Sequence, residues 1–204
     1  MGEFIRWRGA VVPWVAQWTN EENATPFGVM GTYPTSRVAM HQEGLGDRDR
    51  HGVLWWRTGI SRGGTPQFAQ LNTYRQRAAM LKRRCQICGD KLPDGPIEKW
   101  LMGGAQVEEI GGAPITTNPP TCVDCVPVAL ELCPHLLGGG WRILRVVRYD
   151  IWGVHGEVAF HTQDGAIHRA NDVRMPYSHP KIQRVMVGKQ QAVELVDFEV
   201  VEQA

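Results

Sequence analysis

Long apolar runs are missing from this chain of 204 residues, and no stretch comes near the roughly 20 apolar residues that a membrane-spanning helix needs. The first residues, MGEFIRWRGAVVPW, have neither the basic start nor the continuous apolar stretch of a secretion signal. P-loop and GxGxxG motifs are also absent, which excludes the commonest sequence signatures of phosphate-binding loops. We therefore expect a cytoplasmic protein that makes no contact with a membrane.

Net charge is small, but the charges are unevenly distributed. The chain has 22 basic and 21 acidic residues. Residues 37–84 carry ten basic and three acidic side chains, whereas residues 85–140 carry two basic and seven acidic ones. A basic block attracts phosphate groups, because each neutralised phosphate releases counterions, but it can equally dock on the acidic segment beside it. Charge alone leaves both interpretations open.

Five cysteines in a chain without a secretion signal indicate metal binding rather than a disulfide framework. Four of them form two CxxC pairs, CQIC and CVDC. Zinc prefers four thiolate ligands at tetrahedral corners, and a CxxC turn directs two sulfurs at one point. Gly89 follows the first pair and favours the turn, because glycine readily adopts a positive φ. The spacing predicts one zinc ion held by Cys85, Cys88, Cys122 and Cys125.

The second pair is expected to open a helix. Pro127 lies where a first helical turn tolerates its missing N–H, and an apolar segment follows. Cys133 comes eight residues after Cys125, about 12 Å along a helix axis. We therefore expect Cys133 and the nearby His135 to stay outside the zinc site.

A cysteine knuckle, an intervening loop or hairpin, and a helix that begins at the last two ligands resemble a treble-clef zinc finger, over about residues 80–136. Treble clefs include the HNH nucleases, whose histidine base activates water beside a metal. Residues 89–121 contain no histidine, and Cys125 is followed by Val126. The resemblance therefore implies a zinc-binding fold without HNH catalysis.

A second resemblance covers about residues 52–137. The runs GVLWWRTGISRGGTPQFAQLNTYRQRAAMLKRRCQICG and NPPTCVDCVPVALELCPHL are similar to a group of uncharacterised actinomycete and actinophage proteins, which carry two CxxC pairs and a Cys-Pro after the second. This resemblance implies a zinc site and a cytoplasmic location. It gives no information about an activity.

A basic helix is predicted just before the first cysteine pair. Thr65-Pro66 can start a helix that runs to about Arg84, with apolar residues such as Phe68 and Leu81 at helical intervals. The basic residues that lie mostly off this stripe are Arg75, Arg77, Lys82, Arg83 and Arg84. They are the candidate residues for binding nucleic acid or a protein partner associated with nucleic acid.

The C-terminal part is predicted to be mostly sheet, with strands over 141–149, 157–161, 182–187 and 193–201, although the last has helix-compatible spacing as well. Asp164-Gly165 predicts a two-residue hairpin turn, which would place His161 directly opposite His168. His155 would share their face in an unbroken strand. Three histidines on one face can bind a second metal or act as acid and base, so they are the candidate catalytic residues. Hydrogen-bonded histidines on a wet face are the alternative.

These patterns predict one compact α+β unit made of three regions: a mainly β region over 1–64, a helix with a central treble-clef-like zinc module over 65–140, and a mainly β region over 141–204. We interpret the chain as a zinc-stabilised binding protein rather than an enzyme, one that recognises nucleic acid or a nucleic-acid-associated partner through the basic helix. Two alternatives stay open. One is a structural or assembly protein, phage-derived ones included, in which zinc only staples the fold, and the other is a metal-dependent enzyme that uses the histidine face.

Overall fold

The computed structural model describes residues 3–21, 26–103, 108–133, 136, 138 and 140–204. The strands in chain order are β1 (Arg6–Trp7), β2 (Ala10–Val11), β3 (Ala16–Trp18), β4 (Phe27–Met30), β5 (Arg37–Met40), β6 (Leu54–Trp55), β7 (Pro66–Leu71), β8 (Ile97–Gly103), β9 (Glu108–Ile110), β10 (Ala113–Thr116), β11 (Trp141–His161), β12 (Ile167–Pro176) and β13 (Met186–Gln203). The helices with described bounds are α1 (Thr73–Leu81), α2 (Val126–Leu132) and α3 (Ile182–Val185). The predicted mixture of strands and helices is confirmed.

One seven-stranded sheet organises the molecule. Its strand order is β12-β11-β13-β10-β9, with β8 paired to β11 and β6 paired in parallel to β13. Strand β11 is 21 residues long, so it pairs with β13 along one edge and with β8 and then β12 along the other. Strands from all three predicted regions therefore share this sheet, and the boundaries after residues 64 and 140 do not divide it.

The predicted helix over residues 65–84 is wrong in its first half. Residues Pro66–Leu71 form β7, which pairs with β3 and so satisfies its backbone groups in a two-stranded ribbon. The helix begins later, because the side-chain oxygen of Asn72 caps it by accepting a hydrogen bond of 3.1 Å from the Arg75 N–H. Phe68, expected on the buried helix stripe, is 53% exposed.

Two C-terminal predictions also change. The segments 141–149 and 157–161 belong to one continuous strand, β11, and residues 182–185 are the short helix α3 rather than a strand. The segment 193–201, whose type the sequence left open, lies within β13. Further two-stranded ribbons, β1-β2 and β4-β5, come from the first 40 residues.

The largest apolar core joins the main sheet to the cysteine segments. It contains Trp100 and Leu144 from the sheet, Met80 from α1, Ile87 from the first cysteine pair and Val126 from α2, all buried. Each such side chain contributes on the order of 2 kcal/mol through its removal from water. The cysteine segments and the end of α1 are therefore fixed against the sheet.

Candidate metal centre and basic cleft

The first cysteine pair lies in a tight turn that the backbone closes on itself. The Gly89 N–H donates to the Cys85 carbonyl and the Cys85 N–H donates to the Asp90 carbonyl, each at 2.9 Å. Gly89 has φ of +81°, and a Cβ at that position would lie 2.6 Å from the ring of Trp14. The predicted positive φ is confirmed, and the packed indole is a second reason for glycine there.

The second pair sits at the start of a helix, as predicted. Cys125 ends a 3-10 turn that leads into α2, with Pro127 in the first turn of that helix. Gln86 ties the two pairs together, because its backbone N–H donates to the Pro120 carbonyl at 2.8 Å and its side chain donates to the Thr121 hydroxyl at 3.0 Å. These hydrogen bonds hold the two cysteine segments, which are far apart in sequence, next to each other.

The four sulfur atoms form one cluster. The sulfurs of Cys85, Cys88, Cys122 and Cys125 all lie within 4.8 Å of one another. The Sγ atoms of Cys88 and Cys122 are 3.9 Å apart. Tetrahedral zinc with Zn–S bonds of about 2.3 Å requires sulfurs roughly 3.8 Å apart, so the cluster has a spacing suited to one such ion.

Amide groups also support the cluster. The N–H groups of Ile87 and Cys122 both point at the Cys85 sulfur, at 3.4 and 3.3 Å. Such donors stabilise a thiolate more than a neutral thiol. The arrangement of donors, sulfurs and burial therefore fits a metal ion, and the prediction that these four cysteines come together is confirmed.

Three thiols of the cluster have raised pKa values, which favours their protonated form. The hydrogen bond with Cys122 and burial raise the pKa of Cys85, and burial raises the pKa of Cys88 and of Cys125. A divalent cation reverses this preference, because it favours the charged thiolate form.

Cys133 does not join the cluster, in agreement with the prediction. It is free, half-buried and packed against the main core. His135, expected to stay outside the site, lies outside the described residues.

Arg75 is not available to a ligand, contrary to its prediction as a binding residue. Its guanidinium makes two hydrogen bonds of 2.6 Å to the carboxylate of Glu21 and a third of 2.6 Å to the Ala16 carbonyl. The side chains of Arg75 and Glu21 are 4% and 0% exposed. The helix face that carries Arg75 turns inward because Glu21, on the 3-10 turn after β3, supplies the opposite charge.

The remaining predicted basic residues fall into two groups. Arg84 donates to the Gly89 carbonyl at 2.8 Å and so braces the first cysteine turn, and Arg83 donates to the carbonyls of Pro93 and Gly95 in the loop that follows that turn. Arg77 and Lys82, together with Arg83, line a cleft beside α1. Among the described residues, the basic block over 37–84 forms its ion pairs with Glu21, Glu43 and Asp47. None of these carboxylates belongs to the acidic segment 85–140.

The cleft has a volume of about 720 Å³ and carries five basic side chains against one carboxylate. Its lining comes from the loop before β6, the second half of α1, the middle of β11, Tyr177 and β13. The basic members are Arg50, Arg77, Lys82, Arg83 and Arg148, and the other lining residues are Asp49, His51, Met80, Leu81, Val147, Tyr149, Ile151, Tyr177 and Gln191. We name it the basic cleft.

Asp49, the carboxylate of the basic cleft, is occupied by internal hydrogen bonds. It accepts from the Trp55 indole at 2.8 Å, from the Tyr177 hydroxyl at 2.7 Å, and from the N–H groups of His51 and Val53. Burial and the neighbouring carboxylate raise the pKa of Tyr177, which keeps its hydroxyl protonated as a donor. Asp49 therefore organises the wall instead of neutralising the cations.

The predicted pairing of His161 with His168 is wrong by one residue. Opposite His161 lies Ile167, and opposite His168 lies Phe160, whose ring centroid is 4.9 Å from that of the histidine. The loop has three residues, since the Thr162 N–H donates to the Ala166 carbonyl, and Gly165 takes φ of +84°. A shift of one residue reverses the face, so the two histidines point to opposite sides of the sheet.

The catalytic role expected of the three histidines loses its geometric basis. His155 is half-buried with Nε2 3.7 Å from an Asp172 carboxylate oxygen, and burial lowers its pKa. His161 Nδ1 is 3.1 Å from the Gly165 carbonyl oxygen. Among the described residues, the four-cysteine cluster is the group close enough to share a metal, and the histidines form none.

The lining residues of the cleft that do not come from α1 were not predicted from the sequence. Arg50 and His51 belong to the run GLGDRDRHG, which offers no phosphate-cradle motif, and Arg148 follows in β11 almost a hundred residues later. Tyr177 lies just after β12. Only the pairing of β11, β13 and β6 brings these positions beside α1, and no local pattern reports that pairing.

Searches against known protein-family models, curated proteins and solved structures find no match to this chain. Within the described residues, no helix has the length and apolar character needed to cross a membrane.

Proposed function

We propose that this protein is a zinc-stabilised nucleic-acid-binding protein whose basic cleft contacts the phosphates. The observation that carries the proposal is the composition of the cleft: five basic side chains against one carboxylate that is already hydrogen-bonded, in a cavity of about 720 Å³. Uncompensated cations in a concave surface attract polyanions, and binding releases the counterions of the phosphates.

Zinc is the metal that best suits the four-cysteine cluster. Soft thiolate ligands in a four-sulfur set favour zinc over the hard cations magnesium and calcium. Four protein ligands would leave no coordination position open to a substrate, so the bound ion would supply stability and no catalysis. Its ligands would be Cys85, Cys88, Cys122 and Cys125.

The cluster and the cleft share a structural element. Helix α1 forms one wall of the basic cleft, and Cys85 follows the end of that helix by four residues. Arg84 hydrogen-bonds to the Gly89 carbonyl in the turn of the first cysteine pair, and Arg83 hydrogen-bonds to the Pro93 carbonyl in the loop that follows. We infer that the metal keeps this wall in place, so that loss of the metal removes the binding surface.

Aromatic rings favour nucleic acid over an acidic peptide as the ligand. Tyr149, Tyr177 and His51 line the cleft together with the cations. Basic side chains that follow a backbone and aromatic rings that stack on bases are the combination typical of single-strand binding. An acidic protein partner would use the cations but have no need of the rings.

The experiment is a salt series with fluorescein-labelled single-stranded DNA and RNA of about 12 nucleotides, a length within the usual site sizes of such proteins. Fluorescence anisotropy of the metal-loaded protein should give an affinity whose logarithm falls linearly with the logarithm of salt concentration. Arg148→Ala should weaken binding to all sequences and reduce the salt slope by about one, because one phosphate contact is lost.

Arg145→Ala is the matched control. It removes the same side chain from the same strand, but Arg145 pairs with Glu98 and Glu199 and does not line the cleft. Binding that is absent, or equally affected by both substitutions, would contradict the proposal. A structural or assembly role, with zinc only as a staple, would then be the reading that remains.

A further inference from the structure

Arg77 is a cation that the fold holds in place without giving it an anionic partner. Its guanidinium carbon lies over the Trp55 ring, 3.8 Å from the ring centroid. Its Nε atom is buried and makes no hydrogen bond, and no carboxylate among the described residues lies within ion-pairing distance. Burial lowers the pKa of Arg77, although an arginine stays charged at neutral pH. A cation that the fold leaves without a counter-ion attracts an anion that enters the cleft.

Opposite charge is near Arg77 but is already committed. Asp49 lies close enough to interact with it electrostatically, yet the oxygens of Asp49 accept hydrogen bonds from Trp55, Tyr177 and two backbone groups. Arg148, an exposed residue of strand β11, lines the same cleft. An anion in the cleft would therefore supply the acceptor that the protein does not.

A rigid ring pair lines the same cavity. The rings of His51 and Tyr177 are stacked with centroids 3.9 Å apart and an angle of 21° between their planes. Polar contacts hold both rings, because the Tyr177 hydroxyl donates to Asp49 at 2.7 Å and the Arg50 Nε–H donates to His51 Nε2 at 3.1 Å. Rings that are already ordered lose little conformational entropy when a ligand stacks on them.

The size of the cavity limits the ligand. A volume of about 720 Å³ falls within the 300–1,000 Å³ typical of sites for single small molecules and cofactors. We propose that the basic cleft takes one nucleotide unit, with its base against the His51–Tyr177 pair and its phosphate against Arg77 and Arg148. The unit is either a nucleotide of a bound strand or a free nucleotide. This inference rests on the proposed function only in assigning phosphate to the cleft.

The test is isothermal titration calorimetry of the metal-loaded full chain with the four ribonucleoside monophosphates, the matching nucleosides and inorganic phosphate. At least one monophosphate should bind at a ratio of one per chain. Its nucleoside and inorganic phosphate should each bind at least about tenfold more weakly, because each retains only one half of the contacts. Arg77→Ala and Arg148→Ala should each weaken the monophosphate at least about tenfold, and Arg145→Ala should not.

Arg77→Lys separates geometry from charge. Lysine keeps the charge but loses the flat fork that stacks on Trp55, so its affinity should fall between that of the native protein and Arg77→Ala. If the thermal midpoint shows that Arg77→Ala fails to fold, the titration of Arg148→Ala decides the question, because Arg148 is exposed. Monophosphate binding that neither substitution weakens would overturn the inference, because the ligand would then lie elsewhere.

The outcomes distinguish this inference from the proposed function. Labelled oligonucleotides that bind through Arg148 while no monophosphate binds or competes would overturn the single-nucleotide site and leave the proposed function standing. Monophosphates that bind in the cleft while oligonucleotides neither bind nor compete would support the site and contradict nucleic-acid binding. Mutual competition would identify the unit as part of a bound strand.

Discussion

The four-cysteine cluster and the basic cleft lie side by side, but the chain builds them in different ways. The cluster comes from two tight turns, each closed by its own backbone hydrogen bonds. The cleft is assembled from five separate segments between Asp49 and Gln191, and none of them forms a wall alone. A local motif therefore fixes the cluster, whereas the order of strands in the sheet fixes the cleft.

Because of this difference, substitutions in the cluster and in the cleft should have different effects on stability and on ligand binding. A cluster ligand contributes to the fold itself, because two chain segments depend on it, and a change there should affect both regions. A cation on the rim of the cleft is exposed, and its loss should affect the ligand alone. Helix α1 links the two regions. Its N-terminal half is held by the Arg75–Glu21 ion pair and its C-terminal end by the cysteine turn.

Loss of one cluster ligand should have the largest effect. Cys88→Ser should release zinc and unfold the segments around the cluster, because structural zinc sites supply folding free energy on the order of 10 kcal/mol. Elemental analysis of the native protein should find one zinc per chain, and urea unfolding should show the loss in the variant. Cys133→Ser is the control and should change the free energy of unfolding by no more than about 1 kcal/mol. A native chain without bound metal, or one with iron in its place, would contradict the zinc assignment.

Loss of the Arg75–Glu21 ion pair, which holds the N-terminal half of α1, should have the next largest effect. Arg75→Ala leaves the Glu21 carboxylate fully buried without its partner, which costs about 3–5 kcal/mol. Lys82→Ala, at the exposed C-cap of the same helix, should cost less than about 0.5 kcal/mol. Equal effects of the two substitutions, measured by urea unfolding, would show that the ion pair does not hold the helix.

A smaller effect should appear in the dependence of stability on pH. Burial alone would raise the pKa of Glu21, but hydrogen bonds from Arg75, Trp18 and Asn72 outweigh it and hold that pKa below its ordinary value of 4.5. A depressed pKa means that Glu21 stabilises the fold above about pH 4.5 and that this stabilisation is lost as the pH falls through the lower folded value.

Glu21→Gln tests that dependence. The free energy of unfolding of the native chain should fall more steeply below about pH 4.5 than that of the variant, because the variant takes up no proton at this position. The cysteines also take up protons in acid, but they do so in both proteins, so the difference between the two curves reports Glu21. Parallel curves would contradict the assignment.

The parts of the molecule that sequence predicts well are the ones with a short-range cause. CQICG implies a turn with glycine at positive φ, and CVDCVP implies a helix start with proline in its first turn, and both are present. The failures have long-range causes. Residues 66–71 became a strand because β3 was available to pair with them. Arg75 turned inward because Glu21, 54 residues earlier, reaches it.

The hairpin at Asp164-Gly165 failed for a subtler reason. The dipeptide signals a turn correctly, but the same two residues fit a two-residue loop or a three-residue loop with glycine at its last position. The Thr162 side chain also contributes, since its hydroxyl lies within hydrogen-bonding distance of the Ala166 carbonyl, at 2.9 Å, and of the Asp164 carboxylate. This added support favours the longer loop and moves His161 to the other face.

We propose that a metal ion at the four-cysteine cluster keeps the basic cleft in its binding conformation, and one titration examines this dependence. The protein is stripped of metal with a chelator, and zinc is then added back while the anisotropy of a labelled single-stranded oligonucleotide is followed. Oligonucleotide binding should disappear on chelation and return in full at one zinc per chain. Oligonucleotide binding that persists in metal-free protein would contradict it.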